Sequence, residues 1–265
     1  MRQKYLLGKN IWILMVLLFL YFPILLLAVY SFTDSTMIGS IRSFSLENYK
    51  VLFMMPELRD MIVGTVLLAL FVAVISTILG TLGAIGFFYS KKRTRRPFEF
   101  INQIPVVNAD VVTGFSICVL LIVFFGMDKS SFVPLIVGLV TLSVPFVYLS
   151  IVPRLKQMDP ELYEAALDLG YTPGGALLKI VIPQLLSGIA AGFMMSITLT
   201  LDDYFISTYT KPATFDTIST YVVNATKGAQ TDIKTALWAL STVIFLCVAV
   251  SVILMNLPKK KGEIR

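Results

Sequence analysis

The sequence contains no histidine, and only two of its 265 residues are cysteines. Both cysteines, Cys118 and Cys247, lie inside apolar runs, so we expect packing residues rather than a disulfide framework or a zinc site. Charged residues make up 14% of the chain, against about 25% in ordinary soluble domains. With 57% hydrophobic residues and a mean hydropathy of +0.83, this composition is typical of a membrane protein.

Two classes of function are not supported by the residues. The formal net charge is +6, but the basic residues lie at the edges of apolar runs rather than on one face, so no nucleic-acid partner is predicted. The P-loop pattern G-x-x-x-x-G-K-[ST] is absent, since the nearest string, 228–235, lacks the second glycine. No recognisable motif places paired catalytic residues, so the chain is not expected to be an enzyme.

Six apolar stretches are long enough to cross a bilayer, which takes roughly 20 residues for a hydrocarbon core of about 30 Å. They predict an all-α membrane protein whose residues 1–265 form a single transmembrane domain. The first stretch is longer than the core of a secretory signal, so we interpret it as a retained span. The predicted spans are about 11–32, 61–90, 106–127, 130–153, 184–206 and 235–257.

The distribution of basic residues predicts the orientation of these spans. With six spans, both termini share a side, and that side carries fifteen of the 22 Lys and Arg residues. Positive residues stay on the cytoplasmic side. Both termini and the loop 154–183, between spans four and five, are therefore predicted to be cytoplasmic.

The loop 154–183 carries two helix signatures in succession. Asp159 is a suitable N-cap before Pro160 at the first helical position, and Gly170 is a typical helix terminator. Thr172 and Pro173 repeat the start signal. With Pro183 placed past the end of the second helix, the pattern predicts two short helices that meet at a glycine corner.

The first of these helices is predicted to be amphipathic. An apolar stripe and a carboxylate-rich neighbouring face follow from its i, i+3, i+4, i+7 spacing. A helix in the headgroup layer is the alternative, but such helices favour Lys and Arg on the polar face. We expect the small alanines to allow close approach of another protein. The stripe is Leu162, Ala165, Ala166 and Leu169, and the acidic face is Glu161, Glu164 and Asp168.

The string E-A-A-L-D-L-G, followed nine residues later by I-V-I-P, resembles the signature loop of permease subunits of type I ATP-binding-cassette importers. In that family the loop forms a coupling helix that docks into a cleft of the ATPase. One position departs from the family pattern, Ile182, where leucine is usual. The residues that the resemblance assigns to ATPase coupling are Glu164, Ala165, Ala166, Asp168, Gly170, Ile180 and Pro183.

The resemblance also implies the other components of the assembly. We expect two copies of a cytoplasmic ATPase, a second related permease subunit and an external solute-binding protein, in the lipid of a bacterial plasma (inner) membrane. No cofactor is expected on this chain, because ATP and magnesium belong to the ATPase. The chain would then form half of the translocation pathway.

Three aspartates are candidates for the solute path, because intramembrane carboxylates cost about 2.5 to 3.5 kcal/mol on insertion scales and mark functional sites. The alternatives are that an aspartate pairs with a lysine such as Lys211 or caps a helix. Tyr204, with Tyr209 and Tyr221, could face a cation or belong to an interfacial belt. The aspartates are Asp110, Asp202 and Asp203, and a polar stripe adds Ser196, Thr200 and Ser207.

A narrower resemblance concerns the stretches S-I-T-L-T-L-D-D-Y-F-I-S-T-Y and P-V-V-N-A-D-V-V-T-G-F-S. They are similar to the second permease subunit of spermidine/putrescine importers, which implies a polyamine as solute. Permeases for ferric ion, thiamine and other small organic solutes share the coupling loop and remain alternatives. An ion-coupled secondary carrier is a further alternative, although no inverted repeat is evident.

Overall fold

A computed structural model of the chain describes residues 2–33, 43–159, 161–227, 237–246 and 249–250. Within these ranges the chain is mostly helical and has no strand, and its one isolated bridge joins Thr33 and Phe44. The all-α prediction is confirmed for this part of the chain. The contacts divide the chain into two compact units, Met1–Arg59 with Asn224–Arg265, and Asp60–Val223.

The helices are numbered in chain order. Two π-helical segments, Val119–Phe124 and Leu177–Val181, directly follow α5 and α8. The helices are α1 (Arg2–Ser31), α2 (Glu47–Met54), α3 (Pro56–Phe88), α4 (Lys92–Val107), α5 (Asp110–Cys118), α6 (Val133–Gln157), α7 (Glu161–Asp168), α8 (Pro173–Ala176), α9 (Ile182–Asp202), α10 (Phe205–Thr210), α11 (Ile218–Lys227) and α12 (Leu237–Leu246).

In the part of the chain that the structure describes, four helical stretches are long and apolar enough to cross a membrane: Trp12–Ser31, Pro56–Phe88, Val133–Gln157 and Pro173–Asp202. They correspond to the first, second, fourth and fifth predicted spans. The second has 33 residues, about 50 Å at about 1.5 Å per residue. Because this exceeds a hydrocarbon core of about 30 Å, the helix is long enough to tilt or to project beyond the bilayer.

The third predicted span, 106–127, is not one straight helix. Pro97–Val107 and Asp110–Phe124 meet at an angle of 103°. The break falls at Asn108 and Ala109, whose backbones are extended. Residues 106–107 therefore belong to α4, a helix that the sequence reading did not predict.

The sixth predicted span, 235–257, is described only in part. α12 lies inside it, whereas residues 235–236, 247–248 and 251–257 lie outside the described residues. In the first unit, α12 packs on α1 through Tyr30 with Trp238 and Tyr21 with Phe245, at ring-centroid distances of 5.6 and 6.4 Å. These pairs run in opposite chain directions, so α1 and α12 are antiparallel. The count of six spans and the cytoplasmic termini stay predictions.

The second unit is built around α3, α6 and α9. One cluster of buried apolar side chains joins α3 to α6, and another joins all three helices. Burial of such side chains does not drive association inside a bilayer, so close packing and interhelical polar contacts carry more weight there. The first cluster contains Leu68, Val72, Leu135 and Leu139, and the second contains Ala84, Ile85, Val147, Tyr148, Ile151, Leu155, Val181 and Leu185.

Candidate functional site

The start of α7 has the predicted cap. Asp159 Oδ1 accepts the backbone N–H of Glu161 at 3.0 Å, and the carbonyl of Asp159 accepts that of Leu162 at 3.3 Å. A carboxylate at this end is also favoured by the helix dipole. Pro160, predicted at the first helical position, lies outside the described residues.

The end of α7 is a glycine corner, as predicted. Gly170 has φ +86°, a left-handed conformation that glycine adopts without the steric penalty of a Cβ atom. The N–H of Tyr171 donates to the carbonyl of Ala166 at 3.1 Å, and the N–H of Gly170 donates to Leu167 at 2.9 Å. This pair of bonds is a Schellman motif, which satisfies carbonyls at the helix end.

The faces of α7 differ from the predicted stripe. Ala166 is 4% exposed, whereas Leu169 is 81% exposed and Ala165 is also exposed. Tyr163 packs on Tyr89, with ring centroids 4.9 Å apart, and this contact turns the Ala166 side inward. The surface available to another protein consists of Glu161, Glu164, Ala165, Asp168 and Leu169.

The second predicted helix begins as expected but does not end before Pro183. Thr172 Oγ1 accepts the N–H of Gly175 at 3.2 Å, and the helix then runs on from Pro173 to Asp202. Proline lacks an N–H and clashes with the carbonyl four residues earlier. The π-helical segment Leu177–Val181 ends just before Pro183 and widens the turn there, which accounts for the unbroken helix.

The fifth span therefore starts at least ten residues before the predicted 184. Within this stretch Ile180 is half-buried and Pro183 is exposed. After the short corner at Gly170, α7 is thus followed by one continuous helix that runs to Asp202.

Asp203 directly follows α9 and is 7% exposed. Its Oδ2 accepts the N–H of Ser207 at 2.7 Å, and its Oδ1 accepts that of Ile206 at 3.3 Å. The carboxylate therefore caps α10, which is one of the two alternatives raised from the sequence. Within the described residues Asp203 has no cationic partner, because Lys211 pairs with Asp216 at 2.9 Å.

The other two aspartates are exposed. Asp110 lies in the first turn of α5, within electrostatic range of Asp203. Asp202 is the last residue of α9, and its carbonyl accepts the hydroxyl of Ser219 at 3.1 Å. Asp110 and Asp203, distant in sequence, lie near the contact of α5 with α10 and interact electrostatically, and Asp202 adjoins Asp203 in the chain.

The polar stripe predicted on α9 points inward. Ser196, Thr200 and Ser207 are 0%, 1% and 0% exposed. Thr200 Oγ1 donates to the carbonyl of Ser196 at 2.9 Å. Tyr204 is half-buried, and its ring packs edge-on against Phe205 at 5.2 Å. In this structure these hydroxyls do not line an exposed surface.

Asp128 lies in the loop between α5 and α6, away from Asp110, Asp202 and Asp203 in the sequence. Hydrogen bonds from the side chain and the backbone of Ser130 lower the pKa of Asp128 below its usual value. It is exposed and belongs to no helix. Asp110, Asp202 and Asp203 are called the acidic cluster below, and Asp128 is a suitable control for substitutions in it.

Gly114 holds α5 close to α10, a contact that the sequence reading missed. A Cβ atom at Gly114 would lie 2.8 Å from Ile206 Cα. We expect Gly114→Val to separate the two helices at a cost of about 1–3 kcal/mol and to lower the melting temperature of the purified protein. Gly86→Val is the control, because a Cβ there meets nothing within 4 Å. Equal melting temperatures for the two variants would contradict the assigned contact.

These features define a helical membrane protein with a short acidic helix between two of its candidate spans. The profile of the family described as "Binding-protein-dependent transport system inner membrane component" matches residues 6–260, and the chain belongs to this family. It is a permease subunit of an ATP-binding-cassette importer, a transport subunit rather than an enzyme.

Relatives and solved structures agree with this assignment. The chain is 28% identical over 255 residues to the spermidine/putrescine permease PotC of Haemophilus influenzae, covering 96% of this chain and 97% of PotC. It is 29% identical to the putrescine permease PotI of Escherichia coli K12, covering 91% and 88%. A chain of a bacterial alginate importer shares the fold, with TM-score 0.75, 19% identity and 96% coverage of both chains.

A second structure of the alginate importer contains a periplasmic protein that carries an alginate pentasaccharide. Its matching chain has a TM-score of 0.73 and 18% identity, with 94% of this chain and 93% of that chain covered. At this level of identity the likeness concerns the fold alone.

Proposed function

We propose that this chain forms half of the translocation pathway of a bacterial inner-membrane importer for polyamines such as spermidine and putrescine. The observation that carries the proposal is the buried carboxylate of Asp203, close to Asp110 and without a cationic partner in the described part of the chain. Two neighbouring carboxylates repel each other and are stabilised by a cation between them. The names of PotC and PotI support a polyamine as that cation.

Ferric ion, thiamine and other small organic solutes remain alternative solutes of the same importer class. The test is an uptake panel in reconstituted vesicles that offers spermidine, putrescine, ferric ion and thiamine, with the chain co-expressed with its neighbouring reading frames. The proposal expects ATP-dependent uptake of a polyamine. Selective uptake of another solute would refute the polyamine assignment, and uptake without an ATPase would favour an ion-coupled carrier.

Removal of single charges tests the acidic cluster. We expect Asp110→Asn and Asp202→Asn each to reduce polyamine uptake about tenfold, corresponding to about 1.4 kcal/mol, because each change removes one negative charge from the path. The matched control is Asp128→Asn in the exposed loop, which should transport normally. Normal uptake by both cluster variants would contradict the proposed cation path.

We further propose that the exposed face of α7 docks on a cytoplasmic ATPase, present in two copies. ATP and magnesium would be bound by that ATPase, and none by this chain. Closure of the ATPase dimer would move α7 and the continuous helix that follows Gly170 as a rigid body, switching access between the two sides. A second related permease would complete the pathway, and an external solute-binding protein would deliver the solute.

Cysteine cross-linking tests this docking face. After replacement of Cys118 and Cys247 by serine, Ala165→Cys is expected to cross-link to a cysteine in the ATPase cleft, because Ala165 is exposed. Ala166→Cys is the matched control, since that side chain is 4% exposed and should react much more slowly. Equal cross-linking at both positions, or none at Ala165, would rule out the assigned face.

A further inference from the structure

Four serines of the second unit are fully buried and have a hydroxyl group without a hydrogen-bond partner, Ser207 on the short helix α10 and one serine on each of the three long helices α3, α6 and α9. Ser76 on α3, Ser143 on α6 and Ser196 on α9 are each 0% exposed, and each Oγ lacks a hydrogen-bond partner. A buried hydroxyl without a partner costs about 1–3 kcal/mol. Each unpaired group in a native structure therefore calls for a physical explanation, such as a bound water.

Other hydroxyl groups on helices of this chain donate a hydrogen bond to a carbonyl of their own helix. Thr65 donates to Met61 at 2.8 Å, Ser150 to Phe146 at 2.8 Å and Thr200 to Ser196 at 2.9 Å, all to the carbonyl four residues earlier. The three serines do not form this bond. Their hydroxyls are thus available to a partner outside their own helix.

The packing of α6 against α9 places two of these serines opposite each other. A Cβ atom on Gly188 would lie 3.3 Å from Ile151 Cα, and one on Gly192 would lie 3.2 Å from Val147 Cα. Moving four residues forward along α9 thus corresponds to moving four residues back along α6, so the two helices are antiparallel. Four residues further along α9, the same register places Ser196 opposite Ser143.

The packing of α3 against α6 brings the third serine to the same level. A Cβ atom on Gly80 would lie 2.7 Å from Val147 Cβ, and Val72 shares a cluster with Leu139. The contact at Val147 and the shared cluster lie in the same chain order on both helices, so α3 and α6 run parallel. One turn before Gly80 and Val147, this register places Ser76 level with Ser143. One polar level thus crosses all three helices.

This level lies between the two apolar clusters of the core. On one side are Val72 and Leu139, and on the other is Val147. Thr77 and Thr81 on α3 have buried hydroxyls that also lack partners, so further polar groups lie within about a turn of Ser76. The layer is therefore polar, enclosed and spanned by three different helices.

We propose that Ser76, Ser143 and Ser196 bind an ordered water molecule that joins α3, α6 and α9. Buried waters form about three hydrogen bonds to otherwise unsatisfied groups, and three hydroxyls supply that number. No direct bond links the three oxygens, which agrees with a bridged arrangement, because one water separates two oxygens by up to about 5.5 Å. Water suits the site better than a metal ion, since the three groups are neutral.

The water-bridged serines would fix how α3, α6 and α9 are aligned along their axes. Inside a bilayer, apolar contacts alone favour one such alignment only weakly over another. Inside a bilayer, sliding one helix by a turn exchanges apolar contacts for similar ones. A slide by one turn here would separate the serines and leave hydroxyls unpaired. The layer therefore favours one alignment of α3, α6 and α9.

Alanine substitutions in the purified importer complex test the proposal by the sign of their effect. If a water bridges the serines, Ser143→Ala removes one of its partners and lowers the melting temperature by about 2–4 °C, the shift expected for about 1 kcal/mol. If the hydroxyls are simply unpaired, the same change relieves a penalty and raises the melting temperature. Ser150→Ala is the matched control on α6, because that hydroxyl is satisfied within its own helix.

Further melting and labelling measurements complete the test. Ser76→Ala and Ser196→Ala should lower the melting temperature as Ser143→Ala does, and the triple variant should lose less than the three single losses together, because one water is shared. X-ray radiolysis in ¹⁸O-labelled water should label Leu139 or Val147 in the wild type and not in Ser143→Ala. A raised or unchanged melting temperature, additive losses or an absence of label in the wild type would overturn the proposal. A melting temperature that depends on sodium or potassium in the wild type alone would also overturn it, in favour of a cation.

Discussion

Replacing Gly170 with valine is expected to abolish solute uptake while leaving the chain in the membrane. Gly170 has φ +86°, and a left-handed backbone costs a residue with a Cβ atom about 1–2 kcal/mol. A Cβ atom at this position meets nothing within 4 Å, so the effect would come from the backbone conformation and not from crowding. Loss of the corner would misplace the docking face of α7 relative to the helix that follows.

A graded series makes this prediction specific. Asparagine tolerates the left-handed conformation better than alanine, and alanine better than valine, so uptake should fall in the order Asn, Ala, Val. Gly174→Ala is the control, since its Cβ also meets nothing within 4 Å and its φ is not positive. Uptake is measured in vesicles and membrane insertion by immunoblot of the membrane fraction. Full uptake by Gly170→Val would disprove the corner's role.

Substitutions of Asp203 should separate its two roles, the cap of α10 and a negative charge in the path. Asp203→Asn keeps a side-chain oxygen that can accept an N–H of α10 but removes the charge. We expect this variant to assemble normally and to lose most polyamine uptake. Asp203→Ala also removes the cap, which costs about 0.5–2 kcal/mol, and should lower the melting temperature of the complex.

The measurements are uptake in vesicles, yield of the intact complex and its melting temperature. If Asp203→Asn transports as the wild type does, the charge of Asp203 has no part in the path, and only the cap remains. Asp216→Asn is a suitable control, because it removes a carboxylate that pairs with Lys211 at 2.9 Å and lies outside the acidic cluster.

The corner at Gly170 could be predicted from the sequence because its signals are local. Capping by Asp159 and Thr172 and the left-handed conformation of Gly170 depend on residues within a few positions of each other. The prediction that the second helix ends before Pro183 was wrong, because it also used only local signals. Proline alone predicts a helix end, and only the neighbouring π-helical segment Leu177–Val181 shows how the helix continues.

The outward face of α7 was predicted only in part. Positions 165 and 166 are both alanine, and helical periodicity does not show which of two adjacent residues faces inward. The contact between Tyr89 and Tyr163 connects α7 to the residue that follows the end of α3, more than 70 positions earlier in the chain. Because such a contact leaves no local signal, the burial of Ala166 became clear only from the structure.

By itself, the sequence determined that this is a helical membrane protein with a glycine corner between two of its helices, because apolar run length, helix capping and left-handed glycine are properties of contiguous residues. Only the tertiary structure decided that Asp203 caps α10, that the third predicted span is broken at Asn108, and that the hydroxyls of Ser76, Ser143 and Ser196 are buried. These features depend on which distant residues come into contact, and the packing register of helices settles that.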